Sequence, residues 1–275
     1  YNALATEDAH GRNIAIGTNA LTALDAGADA YNVAIGHNAG LSVSTGTYNN
    51  IIGGLAGDAL TTGGFNVAMG YAALGAEDTG SRNVAIGHSA LTALNYDGAG
   101  YNVAIGYDAG KAVTTGVQNV FVGGGAGDAV TTGLNNIAIG YNALSSEDGH
   151  SYNVAVGGYA LTDLNAGADG YNVAVGYFAG KSISTGVHNV VVGGLAGDAL
   201  TTATQNTVLG SQALSAEDTD SYNTAIGYQA LYTQDGGANN TAVGNQAGDA
   251  VTDGDNNTLV GSGAGGVITS GTNNI

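Results

Sequence analysis

The groups in this chain best equipped for chemistry are four Glu-Asp pairs, Glu7-Asp8, Glu77-Asp78, Glu147-Asp148 and Glu217-Asp218, and five histidines, His10, His37, His88, His150 and His188. Paired carboxylates can divide acid and base work when their surroundings hold their pKa values apart. Adjacent residues of an extended chain point to opposite sides, however, and identical pairs returning every 70 residues define no unique cleft. No catalytic residue is assigned, and the chain reads as a non-enzyme. The histidines fall on turns with no second ligand at a recurring spacing, which speaks against zinc. Gly123-Gly124-Gly125-Ala126-Gly127 is glycine-rich but lacks the strand and helix that a phosphate-binding loop needs. No cofactor is expected. The metal-ligating candidates are Asp58, Asp128 and Asp198. Each follows a Gly-Gly-x-Ala-Gly stretch that partly matches a calcium-binding nonapeptide, with alanine where that motif has its fourth glycine.

All these groups ride on a repeat that dictates where they stand. Asparagine opens the phrase Asn-Val-Ala-Ile-Gly, or a variant, at 13, 32, 49, 66, 83, 102, 119, 136, 153, 172, 189, 206, 223, 240 and 257, and a further copy starts at Asn274. The step is 17 residues, or 19 after Asn13, Asn83 and Asn153. A period of this length is one turn of a solenoid, so residues 1–275 are expected to form a single all-β array, a parallel β-solenoid of about sixteen coils. Beginning at Tyr1 inside a coil and stopping at Ile275 inside a motif, the chain reads as a segment of something longer.

Within a coil, positions two to four carry a strand signal of β-branched residues around alanine. Position five is always glycine, position eight always alanine, and a second apolar residue comes near position 12. Equivalent residues of successive coils should stack about 4.8 Å apart, giving a rod of roughly 75 Å for sixteen coils. Asn32, Asn102 and Asn172 are then rungs of a buried amide ladder that satisfies turn backbone. Gly36, Gly106 and Gly176 mark a corner where φ is positive or no side chain fits. Period-two alternation places positions two and four on one side and position three on the other. With the branched side chains taken as core, position three faces out: Ala34, Ala104 and Ala174, locally replaced by larger residues such as Phe121. A column of small apolar residues on an outer face predicts close approach by another copy, so these residues are the expected oligomer interface.

Coils further group in fours, so that Arg12 returns as Arg82, Lys111 as Lys181, and Asp58 as Asp128 and Asp198. Spacing like charges four coils apart separates them by roughly 19 Å, about two Debye lengths at physiological salt. Where glutamate occupies position 12, position nine is leucine (Leu74, Leu144, Leu214), which would fill core that the carboxylate cannot. Tyrosines cluster before the motif asparagine (Tyr31, Tyr48, Tyr101, Tyr152, Tyr171, Tyr222) and after its glycine (Tyr71, Tyr107, Tyr141, Tyr177, Tyr228). They should pack over turns with hydroxyls in water; the alternative is an aromatic surface for glycans or proteins. There is no cysteine and no proline, consistent with a fold held by backbone ladders. Four basic against 22 acidic residues give a net charge of −18, which argues against nucleic acid as a partner. No apolar run approaches the roughly 18–20 residues of a membrane span, so no membrane insertion by this segment is expected.

The phrase in Tyr31-Asn-Val-Ala-Ile-Gly36 and Tyr101-Asn-Val-Ala-Ile-Gly106 resembles the head repeats of trimeric autotransporter adhesins of the YadA type, over essentially the whole chain. The resemblance implies a left-handed β-roll, three chains packed by their rolls, and a role in surface attachment. The coil here is longer than that family's usual repeat. Similar repeats also occur in phage tail fibres and other extracellular fibres. The expected function is a non-catalytic extracellular or cell-surface fibre segment, adhesive or structural. Its partners would be copies of itself, as trimer or filament, and a host-surface protein or glycan. The alternatives are the receptor-binding shaft of a phage tail fibre, located in the virion tail, and an ice-binding solenoid suggested by Thr61-Thr62, Thr131-Thr132 and Thr201-Thr202.

Overall fold

The structure, a computed structural model, describes residues 1–6, 11–216 and 219–275. It divides into two compact units, Tyr1–Asn136 and Ile137–Ile275. The first holds β1 (Ile14–Ile16), β2 (Val33–Ile35), β3 (Asn50–Ile52), β4 (Val67–Met69), β5 (Val84–Ile86), β6 (Val103–Ile105) and β7 (Val120–Val122). The second holds β8 (Ile137–Ile139), β9 (Val154–Val156), β10 (Val173–Val175), β11 (Val190–Val192), β12 (Thr207–Leu209), β13 (Thr224–Ile226), β14 (Thr241–Val243) and β15 (Thr258–Val260). Every strand lies at positions two to four of its coil.

Within each unit the strands pair in parallel and in chain order, with motif aligned on motif: Ile14 opposite Val33, Val84 opposite Val103, Val173 opposite Val190. Consecutive strands that are neighbours, parallel and joined by a full loop of chain make each unit a stretch of β-solenoid, the fold read from the period. None of the described residues is helical, and no helix is long enough to cross a membrane.

The core of each coil is thin. It is built from position three, position eight (Ala20 to Ala247, all fully buried), position nine when that is leucine, and position 12. The filling follows a rule. In four of the five coils where position three is large, position nine is glycine: Ile51 with Gly57, Phe121 with Gly127, Val191 with Gly197, Leu259 with Gly265; the exception is Val208 with Leu214. A β-carbon on Gly127 would stand 2.4 Å from the Phe121 ring, and one on Gly110, a coil earlier, 2.7 Å from it. Where position three is alanine, position nine is often leucine instead, as in Ala85 with Leu91 and Ala155 with Leu161. The four-coil grouping is therefore a packing cycle as well as a charge spacing.

Candidate functional site

The outer face of the sheets reverses the sequence expectation. Ala34, Ala104, Ala174 and Phe121 are all fully buried inside their own coil, so none can touch another chain. The alternation holds, in the opposite sense. A methyl group fills position three in most coils, and Ile51, Phe121, Val191, Val208 and Leu259 fill it in the others. Positions two and four point outward instead. Ile14 and Ile16, Ile105, Ile139, Val175, Val190, Leu209 and Val260 are exposed, and the strands show the sequence part-exposed, buried, part-exposed throughout β2, β5, β9 and β13. Each unit thus presents two in-register columns of mainly branched aliphatic residues. In β12 to β15 position two becomes threonine, with Thr207, Thr224, Thr241 and Thr258 directly paired.

Behind that face lies the asparagine ladder. The backbone N–H of Asn32 donates to Asn13 Oδ1 (2.9 Å), that of Asn49 to Asn32 Oδ1 (2.9 Å), and that of Asn119 to Asn102 Oδ1 (3.0 Å). Each carboxamide also donates from Nδ2 to the carbonyl 14 residues on: Asn32 to Gly46 (2.8 Å), Asn102 to Gly116 (2.9 Å), Asn172 to Gly186 (2.9 Å). Asn32, Asn102 and Asn172 are fully buried, so both bonds replace water that has been excluded. In the 19-residue coils the amide turns back two residues, from Asn83 to Ser81 (3.2 Å) and from Asn153 to Ser151 (3.3 Å). Gly36, Gly106 and Gly176 have φ between +140° and +145°, and a β-carbon on any of them would lie within 2.5 Å of the next coil's carbonyl oxygen. Glycine is required there twice over.

The tyrosines before the motif asparagine stack on one another rather than over turns. Tyr31, Tyr48 and Phe65 form a pile with centroids 5.3 and 5.0 Å apart and planes within 11°. Arg12 covers one end at 5.5 Å, and Arg82 lies over both Phe65 and Tyr101. Tyr152, Tyr171 and His188 repeat the pile in the second unit. Ring faces are spent on neighbouring rings; edges and hydroxyls meet solvent. This whole column has left-handed backbone, with φ from +49° to +67°, a conformation uncommon for tyrosine and signalled by no local pattern.

The three candidate calcium ligands stay apart, one per coil in three different blocks. Burial pushes the carboxyls of Asp58, Asp128 and Asp198 above the usual aspartate range, and Oδ1 of Asp128 and of Asp198 is buried without a hydrogen-bond partner. The Glu-Asp pairs behave differently. Glu77 is fully buried and serves the turn, with Oε1 accepting from the N–H of Gly80 (2.7 Å) and Oε2 from that of Tyr96 (3.3 Å). Burial raises its pKa against those two bonds. Glu147, one block later, is equally buried, but its Oε1 takes both the backbone N–H (3.1 Å) and Nδ1 (2.6 Å) of His150, while Oε2 has no partner. His150 Nδ1 also lies 3.7 Å from Asp148 Oδ1. The sequence shows carboxylates and histidines as separate sets; the turn brings one of each set together, and only the spacing Glu-Asp-x-His signals it. His88 instead stacks between Tyr71 and Tyr107. Glu7-Asp8, His10 and Glu217-Asp218 lie outside the described residues.

Comparison of the chain with protein-family models, curated proteins and solved structures found no match.

Proposed function

We propose that this chain is a non-catalytic, extracellular fibre segment, adhesive or structural, that associates with copies of itself through the outward aliphatic columns of its sheets. The observation that carries the reading is the exposure or part-exposure, strand after strand, of the residues at positions two and four, branched aliphatic in most strands and threonine at position two in β12 to β15. Contiguous apolar surface of that extent marks an interaction site in a soluble protein. A standard interface buries about 800 Å² per partner, which asks about 50 Å² from each of sixteen outward positions in the second unit. Identical columns on identical chains are self-complementary, so a second copy is the occupant to which this face commits. The resemblance of the coil phrase to YadA-type head repeats supports the same assembly and a surface location. A host glycan or protein would meet tyrosine edges and hydroxyls, since the ring faces are stacked.

Ice binding, as a second reading, is favoured by the paired threonines of β12 to β15 rather than by Thr61-Thr62 and its copies, which lie on turns. The deciding experiment is the mass of the chain in solution by sedimentation, alongside Ile105→Glu and Val175→Glu. The wild type should be oligomeric and the double variant monomeric with unchanged circular dichroism. A wild type that stays monomeric at tens of micromolar and shows thermal hysteresis would transfer the face to ice.

A further inference from the structure

We propose that Glu147, Asp148 and His150 form a binding site for a divalent transition-metal ion. One donor atom from each residue lies within 4.8 Å of the others, on one turn of the second unit. The measured separations are 2.6 Å between His150 Nδ1 and Glu147 Oε1 and 3.7 Å between His150 Nδ1 and Asp148 Oδ1. Donors on a tetrahedral zinc ion at about 2.1 Å stand about 3.4 Å from one another, a distance that these two values bracket.

A cluster of this kind could be no more than a turn tying itself together. The second observation is the state of Glu147. Its side chain is wholly inaccessible, yet Oε2 has no hydrogen-bond partner. Such an oxygen is costly to leave bare. The block before shows that the fold has a way to avoid that cost, since Glu77 gives Oε1 to Gly80 and Oε2 to Tyr96. With histidine in place of that glycine, Oε1 meets both the N–H and Nδ1 of His150, and the other oxygen is left without a partner. A cation at this point would be held by a buried carboxylate below, by an imidazole that is 21% exposed, and by an aspartate that is 59% exposed on the open side, where water can complete the coordination. One nitrogen and two oxygens suit zinc, manganese or cobalt better than calcium, which takes six to eight oxygens. On binding, Nδ1 gives its lone pair to the metal and the neutral ring keeps its one proton on Nε2, any proton between Nδ1 and Oε1 passing to Nε2 or, from a charged ring, to solvent. The same Glu-Asp-x-His spacing occurs once more in the sequence, at Glu7-Asp8-Ala9-His10.

The test is calorimetric titration of the full chain with zinc chloride, in a His10→Gly background so that one site is read. The expected result is one equivalent bound, with affinity reduced by more than about tenfold in His150→Gly and in Asp148→Asn, and no competition from calcium. His150→Gly is a safe variant, because glycine already occupies the equivalent place above Glu77. Circular dichroism and melting of the zinc-free proteins check that each variant folds. Absence of binding in the background protein would overturn the proposal, as would an isotherm that both variants leave unchanged or that calcium abolishes.

Discussion

At the scale of the residue, the asparagine column shows how one side chain can hold a coil to its neighbour. Asn102 accepts from the backbone of Asn119 through Oδ1 and donates through Nδ2 to Gly116, both in a place without water. Replacing it with alanine leaves a buried N–H and a buried carbonyl unsatisfied, at a cost of about 2–4 kcal/mol for the two. Asn102→Asp should cost at least as much, because the carboxylate keeps the acceptor, loses the donor and adds a buried charge. Chemical denaturation of the two variants checks the order. An exposed substitution such as Gln205→Ala, by contrast, removes no comparable bond. The role of this asparagine was legible in the sequence, because an amide repeated at every coil has few reasons to exist except to pair with the next. The role of Glu77 was not. Its amide partners Gly80 and Tyr96 sit in a turn whose path no local pattern specifies.

At the scale of the element, the strands were legible and their orientation was not. A β-branched triplet bounded by asparagine and glycine locates a strand, and alternation divides its side chains into two sets. Which set is interior depends on the distance to the opposite wall, a tertiary quantity. One clue was nonetheless present: positions one and three share a parity, so a buried asparagine implies a buried alanine beside it. The pairing of a large position three with glycine at position nine was a second clue. It makes a sharp expectation. Phe121→Ala should cost about 3–5 kcal/mol through the cavity left over Gly110 and Gly127. Gly127→Leu alone should be at least as harmful, given the 2.4 Å approach to the ring. Together they recreate the alanine and leucine combination of the coil containing Ala85 and Leu91, so the double variant should lose less than the sum by more than about 1 kcal/mol. A double-mutant cycle by urea melting reads this coupling, and simple additivity would refute the complementary filling.

At the scale of the whole molecule, charge sets the response to pH. Asp58, Asp128, Asp198 and Glu77 all have carboxyls raised by burial in the folded chain. A raised acid holds its proton in the folded state at a pH where the unfolded chain has released it. Stability from these groups is therefore full below the ordinary carboxylate values near about 4 and is lost as pH climbs through the raised folded values. Protonation also relieves the self-repulsion of a chain carrying −18. The melting temperature should rise as pH is lowered from 7 toward 4, whereas many proteins weaken over that range; a falling melting temperature would contradict the assignment.

The two coil lengths have a genetic consequence. The bond from one asparagine's N–H to the previous carboxamide persists across the 19-residue steps, at 2.9 Å from Asn13 to Asn32 and 3.2 Å from Asn83 to Asn102 and from Asn153 to Asn172, against 2.9 Å across the 17 from Asn32 to Asn49. Extra residues are taken up outside the strand, and only the Nδ2 bond is redirected. A duplication or deletion of whole four-coil blocks consequently leaves every remaining rung, and the filling behind it, with a partner of the right kind. The number of blocks is then a quantity that unequal recombination can tune, with no need to reinvent the core each time.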